Sequence, residues 1–168
     1  YRQDVSSMPQ VSVIITTYNY GHLIAESIES VINQDCDDAE LIVVDDGSTD
    51  ETAGVVARYG DSVRYVRQEH SGIAAARNRG IAEARSDLIA FQDADDVWAP
   101  NTLSLRVEAM RRHPELGMIF GDASVVKDGE VIVPSFLSAR TSLETLATIR
   151  DGQRVRIIAE SAFPALLR

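Results

Sequence analysis

Three carboxylates, Asp93, Asp95 and Asp96, close the stretch Leu88-Ile89-Ala90-Phe91-Gln92-Asp93-Ala94-Asp95-Asp96. The apolar start reads as a short buried strand, and the acids as its carboxyl end and the loop beyond it. Alternate side chains of an extended chain point the same way, so Asp93 and Asp95 can face one crevice. Two anions held side by side repel, and one would tend to stay protonated. A divalent cation removes that conflict, and Mg2+ or Mn2+ takes oxygen ligands. The other reading is a set of solvated acids capping the helix after Pro100. The stretch by itself supports both.

The elements around it must position those acids. Residues 1–10 read as an entry tail, with no cationic start and apolar block of a signal peptide. Val11 to Thr16 is a β-rich apolar run, followed by the polar loop Thr17-Tyr18-Asn19-Tyr20-Gly21. His22 to Asn33 reads as a helix with Ile24, Ile28, Val31 and Ile32 on one face. A second strand, Leu41 to Val44, runs into Asp45-Asp46-Gly47. Ser48 to Glu51 has capping-box spacing and opens a helix to about Tyr59. Val63 to Val66 is a third strand and Ile73 to Ala84 an alanine-rich helix. Leu88 to Phe91 is the fourth strand. Pro100 suits the first turn of a helix to about Arg112, with Leu103, Val107 and Met110 inward. A fifth strand is expected over Gly117 to Phe120. A hairpin is expected around Lys127-Asp128-Gly129, and a second capping box at Thr141 to Glu144 opens a helix to about Ile149.

Strands alternating with helices predict an α/β fold: a Rossmann-like, mainly parallel sheet with helices on both faces. Ligands of such sheets sit outside the carboxyl ends of the strands. Three strand ends carry unusual polar content: Thr16 to Asn19, Asp45-Asp46, and Asp93 to Asp96. This architecture gathers them on one rim, and that favours the metal reading of the acidic loop.

Composition removes other function classes. A chain of 168 residues can bury one sizeable core. Its formal net charge of −10 argues against nucleic-acid or anionic-membrane partners. No apolar run reaches the roughly 20 residues of a membrane span. One cysteine, Cys36, allows no internal disulfide, which fits a reducing compartment. His22, His70 and His113 are scattered without metal-ligand spacing.

Four segments together resemble glycosyltransferase family 2, inverting nucleotide-sugar transferases of the GT-A fold. They are Val11 to Asn19, Glu40 to Asp50, Gly72 to Gly80 with its Ala-Arg-Asn core, and Asp93 to Asp96 with Pro100 beyond. The resemblance covers about residues 9 to 121 and implies a nucleotide-sugar-binding domain over 11–121. It implies that Thr16 and Tyr18 contact the nucleotide base and that Asp46 reads it, usually as uracil. Asp93 would touch the ribose, or the metal through water. Asp95 would ligate Mn2+ or Mg2+ bridging the diphosphate. Arg77 would lie near the nucleotide. The donor would then be a nucleotide-diphosphate sugar, most commonly a UDP-sugar.

Each residue also has a plainer use. Asp45 and Asp50 fit the turn and helix start, Arg77 and Arg79 can be solvated helix charges, Asn78 and Gly80 can serve packing, and Trp98 can pack under the loop. Residues 122–168 read as the start of an incomplete acceptor-side region. The family's Glu-Asp pair for the general base is not found there, and Asp122, Asp128, Glu130, Glu144 and Glu160 lack its context. No catalytic residue is assigned. The acceptor, whether glycan, lipid-linked or protein, is open. The expected location is the cytoplasm, including the inner membrane surface. The rival reading is a truncated or degenerate non-catalytic nucleotide-sugar-binding module.

Overall fold

The computed structural model describes residues 8–135 in full and the backbone of two further strands, 148–151 and 155–158. Two compact units divide the chain, 1–111 and 112–168.

The first unit is built on four parallel strands: β1 (Val11–Thr17), β2 (Ala39–Asp45), β3 (Arg64–Arg67) and β4 (Ile89–Asp93). Their spatial order is β3-β2-β1-β4. β1 and the second half of β2 are buried on both faces. Their continuous Val/Ile runs are therefore those of a sheet covered above and below. Between the strands run α1 (Ile24–Ile32), α2 (Thr52–Val56), α3 (Ile73–Glu83) and, after β4, α4 (Thr102–Arg112).

The two faces have separate cores. Val11, Val13 and Ile15 of β1, with Leu41 and Val43, pack against Ile24, Ile28 and Val31 of α1, Val55 and Val56 of α2, and Leu103 and Val107 of α4. The alternate residues Ile14, Ile42 and Val44 meet Ala76 of α3. That second layer is thin because α3 approaches very closely. A Cβ on Gly80 would stand 2.4 Å from Cγ2 of Ile14. Gly80→Ala is expected to cost about 1–3 kcal/mol through overpacking, read as a lower urea midpoint with unchanged slope. An unchanged midpoint would show that the α3–β1 contact yields freely.

Several expectations need correction. Ile32 is exposed rather than inward, because it falls at the end of α1 beyond the buried face. Phe91 is exposed, since β4 is an edge strand. Ser48 is not a helix cap. α2 starts at Thr52, and it is Asp50 that accepts from the Thr52 amide at 3.0 Å. α2 is short and continues as a 3-10 segment, Ala57–Ser62. Pro100 precedes α4 rather than opening it, and Met110 is only partly buried. Gly117 to Phe120 is not a strand: Met118 and Phe120 are exposed, and among the described residues no strand pairs with them.

The second unit contains two antiparallel pairs, β5 (Val125–Lys127) with β6 (Glu130–Val133), and β7 (Thr148–Asp151) with β8 (Val155–Ile158). The expected hairpin is present. Asp128 and Gly129 both have positive φ, 52° and 80°, as a two-residue type I′ turn requires. The helix expected from Thr141 falls largely outside the described residues, but Thr148 and Ile149 belong to β7 instead.

Candidate functional site

The register of the sheet builds the site. Thr16 pairs with Val44 and Asp93, and Thr17 with Asp45. The ends of β2, β1 and β4 therefore stop level, side by side. Above them lies a cavity of about 380 Å3 lined by Thr16, Thr17, Tyr18, Asp46, Asp93 and Asp95, with Gly72, Ile73 and Ala76 from the start of α3. Five expected site residues, Thr16, Tyr18, Asp46, Asp93 and Asp95, thus converge on one hollow.

The loops after β1 and β2 are knitted together. The Asp46 amide donates to the Thr17 carbonyl at 2.9 Å. The Asn19 amide donates to Ser48 Oγ at 2.9 Å, and the Thr49 amide to Asn19 Oδ1 at 2.8 Å. The Gly21 amide donates to Asp50 Oδ2 at 2.9 Å. Asn19 holds its exchange with φ at 58°, a left-handed conformation that Asn tolerates. Asp45, fully buried, accepts from the Ser48 amide at 2.7 Å and from the Tyr65 hydroxyl. Asp45 and Asp50 therefore serve the turn, as the plainer reading had them.

Asp46 is 3% exposed and its carboxylate is crowded with donors. Oδ1 accepts from Gln68 Nε2 at 2.7 Å and the Ser71 amide at 2.9 Å. Oδ2 accepts from the Gly72 amide at 2.8 Å and pairs with His70 Nδ1 at 2.8 Å. Burial pushes its pKa up, but the donors of Ser71, Gln68 and Gly72, and the His70 charge, outweigh it and hold the carboxyl below its ordinary value. Asp46 thus fastens the loop that leads into α3.

The acidic loop is held from behind. Ser27 Oγ of α1 donates to the Asp93 carbonyl at 3.1 Å. The buried Gln92 Nε2 donates to Ser27 Oγ at 2.8 Å and to the Asp96 carbonyl at 2.8 Å. From α3, Arg77 Nη2 donates to Asp93 Oδ1 at 2.9 Å. Arg79 turns away and pairs with Glu83 at 2.7 Å along the helix. So Arg77 is the arginine that meets the site, through Asp93. Asp95 is exposed at the cavity edge. Burial, then the charges of Asp95 and Asp93, push the Asp96 carboxyl above its usual range. The helix-capping reading of these acids falls. The Leu103 amide at the start of α4 donates to Gln34 Oε1 at 3.0 Å, not to an aspartate. Trp98 packs at the edge of the core with Arg106 over its ring.

Two residues at the cavity were not singled out by sequence. Thr17 Oγ1 is buried there with no hydrogen-bond partner among the described residues, an orphan that sequence patterning does not reveal. His70 stacks on Tyr18, ring centroids 4.0 Å apart and planes 22° from parallel. Its position in a loop without metal-ligand spacing carried no signal.

Residues 12–130 match the family described as Glycosyl transferase family 2. The chain belongs to glycosyltransferase family 2. Among its relatives, the Escherichia coli UDP-Glc:alpha-D-GlcNAc-diphosphoundecaprenol beta-1,3-glucosyltransferase WfgD is 33% identical over 124 residues, 73% of this chain and 49% of that protein. The Staphylococcus aureus TarS 1-349 structure in complex with UDP-GlcNAc aligns with TM-score 0.59 at 31% identity, over 62% of this chain and 32% of that one. The Pyrobaculum calidifontis mannosyltransferase PcManGT, in complex with GDP-Man and Mn2+, aligns with TM-score 0.58 at 31% identity, over 73% of this chain and 36% of that one. The parallel sheet with helices on both faces is the GT-A fold of these structural neighbours. The chain spans less than half the length of each of the three.

Proposed function

We propose that this chain carries the donor-binding part of a metal-dependent glycosyltransferase that takes a nucleotide-diphosphate sugar, a UDP-sugar first, and transfers the sugar with inversion to an acceptor hydroxyl. The observation that carries the reading is the single cavity in which Tyr18 and Asp46 meet Asp93 and Asp95. UDP-sugars named for WfgD and TarS, and the Mn2+ named for PcManGT, support the choice of ligands.

The acids fit a divalent cation. Asp93, Asp95 and Asp96 crowd one loop; burial first, and then the charges of Asp95 and Asp93, raise the Asp96 carboxyl, and a divalent cation would relieve the like-charge part of that conflict. Among the described residues, no three His, Cys, Asp or Glu side chains could hold an ion together. One or two carboxylates completed by substrate phosphates is the usual arrangement for Mg2+. Asp95 would be the ligand, with Asp93 held by Arg77 beside it. The cation would neutralise charge developing on the departing diphosphate. Thr16 and Tyr18 would hold the base and Asp46 would fix the loop around it. Residues 11–121 would form this donor domain, and 122–168 would begin the acceptor side, with no general base assigned. No helix among the described residues is long and apolar enough to cross a membrane.

A thermal-shift panel of UDP, GDP and dTDP, each with and without Mn2+, tests the proposal. UDP with Mn2+ at about 100 times its dissociation constant should stabilise by about 2.7 kcal/mol, a rise of several degrees. The reading is lost if no nucleotide shifts the melt, or if chelation leaves every shift unchanged.

A further inference from the structure

The cavity has two chemically different ends. Strand order puts β2 and β4 on opposite sides of β1. Asp46 and the loop it fastens stand at one side, and Asp93 and Asp95 at the other. Two strand spacings separate them, about 10 Å. At the Asp46 end the lining includes a pair of stacked rings, Tyr18 and His70. The flat, π-faced end and the acidic end thus match a ligand with a base at one end and a diphosphate–metal group at the other.

His70 is held in place. Its Nδ1 lies 2.8 Å from Asp46 Oδ2 and 3.1 Å from the Asp46 carbonyl oxygen. Both partners accept only, so Nδ1 carries the proton and donates. One face of the ring covers Tyr18, and more than half of the side chain stays exposed. A ring locked at one edge, stacked on one face and open elsewhere loses little freedom when a second flat group packs on it. The hydrogen bond to Asp46 also gives that buried carboxylate a second use, because it orients a ring that faces the ligand.

We propose that His70 is a nucleobase-contacting residue, completing with Tyr18 the aromatic platform on which the base of the donor packs. The proposal rests on the nucleotide-sugar reading above. It adds a ligand contact to the loop before α3, whose other residues Gln68, Ser71 and Gly72 hold Asp46.

Calorimetry of UDP with Mn2+ on the full chain tests it through three variants. His70→Ala removes ring and donor together. His70→Phe keeps a stacking face and loses the donor. His70→Asn keeps a donor and loses the ring. Loss of a stacked base contact is expected to weaken UDP by roughly tenfold in His70→Ala and His70→Asn. His70→Phe should stay within about threefold of the wild type. Pyrophosphate with Mn2+ should bind all four proteins alike. The role is overturned if His70→Ala binds UDP as the wild type does. It is equally overturned if His70→Phe fails while His70→Asn binds normally, since His70 would then serve only as an anchor for Asp46. Equal loss of UDP and pyrophosphate would overturn it as well, by showing a general collapse of the loop. Wild-type protein that binds no nucleoside diphosphate would remove the function itself, and this contact with it.

Discussion

Asp95→Ala is expected to abolish the metal dependence of UDP binding. With Mn2+ present, affinity should fall on the order of 100-fold, to the level the wild type shows in chelator. The reason is electrostatic. The chain has a net charge of −10 and gathers Asp93, Asp95 and Asp96 in one loop at the cavity edge. A diphosphate brought there meets like charge unless a cation lies between. Asp93 is already engaged by Arg77, and Asp96 is not among the residues that line the cavity. Asp95, exposed and facing the cavity, is the carboxylate left to hold an ion. Because it is exposed, its loss should move stability by no more than about 0.5 kcal/mol, so an unchanged melting temperature separates a site effect from misfolding. Calorimetry with and without Mn2+ makes the measurement. Equal UDP affinity in variant and wild type, at every Mn2+ concentration, would take the metal away from Asp95.

The second large effect belongs to Asp46. Asp46→Ala leaves the Ser71 and Gly72 amides and the Gln68 amide group without their acceptor in a partly buried place. A loss of about 1–3 kcal/mol follows from unpairing such donors. The pH dependence has a definite sign. The carboxyl is held below its ordinary value in the folded chain. Its contribution is therefore present above the unfolded value of about 3.9 and is lost as pH falls through the folded value. The stability gap between wild type and Asp46→Asn should narrow between pH 5 and pH 2. Denaturant midpoints across that range decide it, and a constant gap would mean that the ionised carboxylate contributes nothing beyond its shape. For ligand binding, the same variant should weaken uridine more than pyrophosphate, because the loop it fastens bears on the base end of the cavity. Equal losses would reduce Asp46 to loop support alone.

Much of the frame was legible because it depends on short-range patterning. Apolar runs of four to seven residues alternating with helical spacing point to a parallel sheet, and such a sheet presents its strand ends on one rim. The polar strand ends at Thr16 to Asn19, Asp45-Asp46 and Asp93 to Asp96 could therefore be paired in advance. Where the reading failed, a longer-range fact had intervened. Ser48 has the spacing of a cap, yet its hydroxyl accepts from the Asn19 amide, and it is Asp50 that accepts from the Thr52 amide where α2 begins. Gly117 to Phe120 has the composition of a strand, but among the described residues no neighbouring strand receives it.

The residue types of the site and their order along the chain were written in the sequence, and so was the prediction that they meet. Composition and periodicity act locally, over one strand or one helical turn. Tertiary structure alone decided which groups are spent and which are left over. It committed Asp46 to four donors, turned Arg77 toward Asp93 and Arg79 toward Glu83, and left Asp95 open. It also brought His70, dozens of residues from Tyr18 along the chain, into ring contact with it. Hydrogen-bond saturation and stacking are properties of what surrounds a side chain, and those surroundings exist only once distant segments have packed.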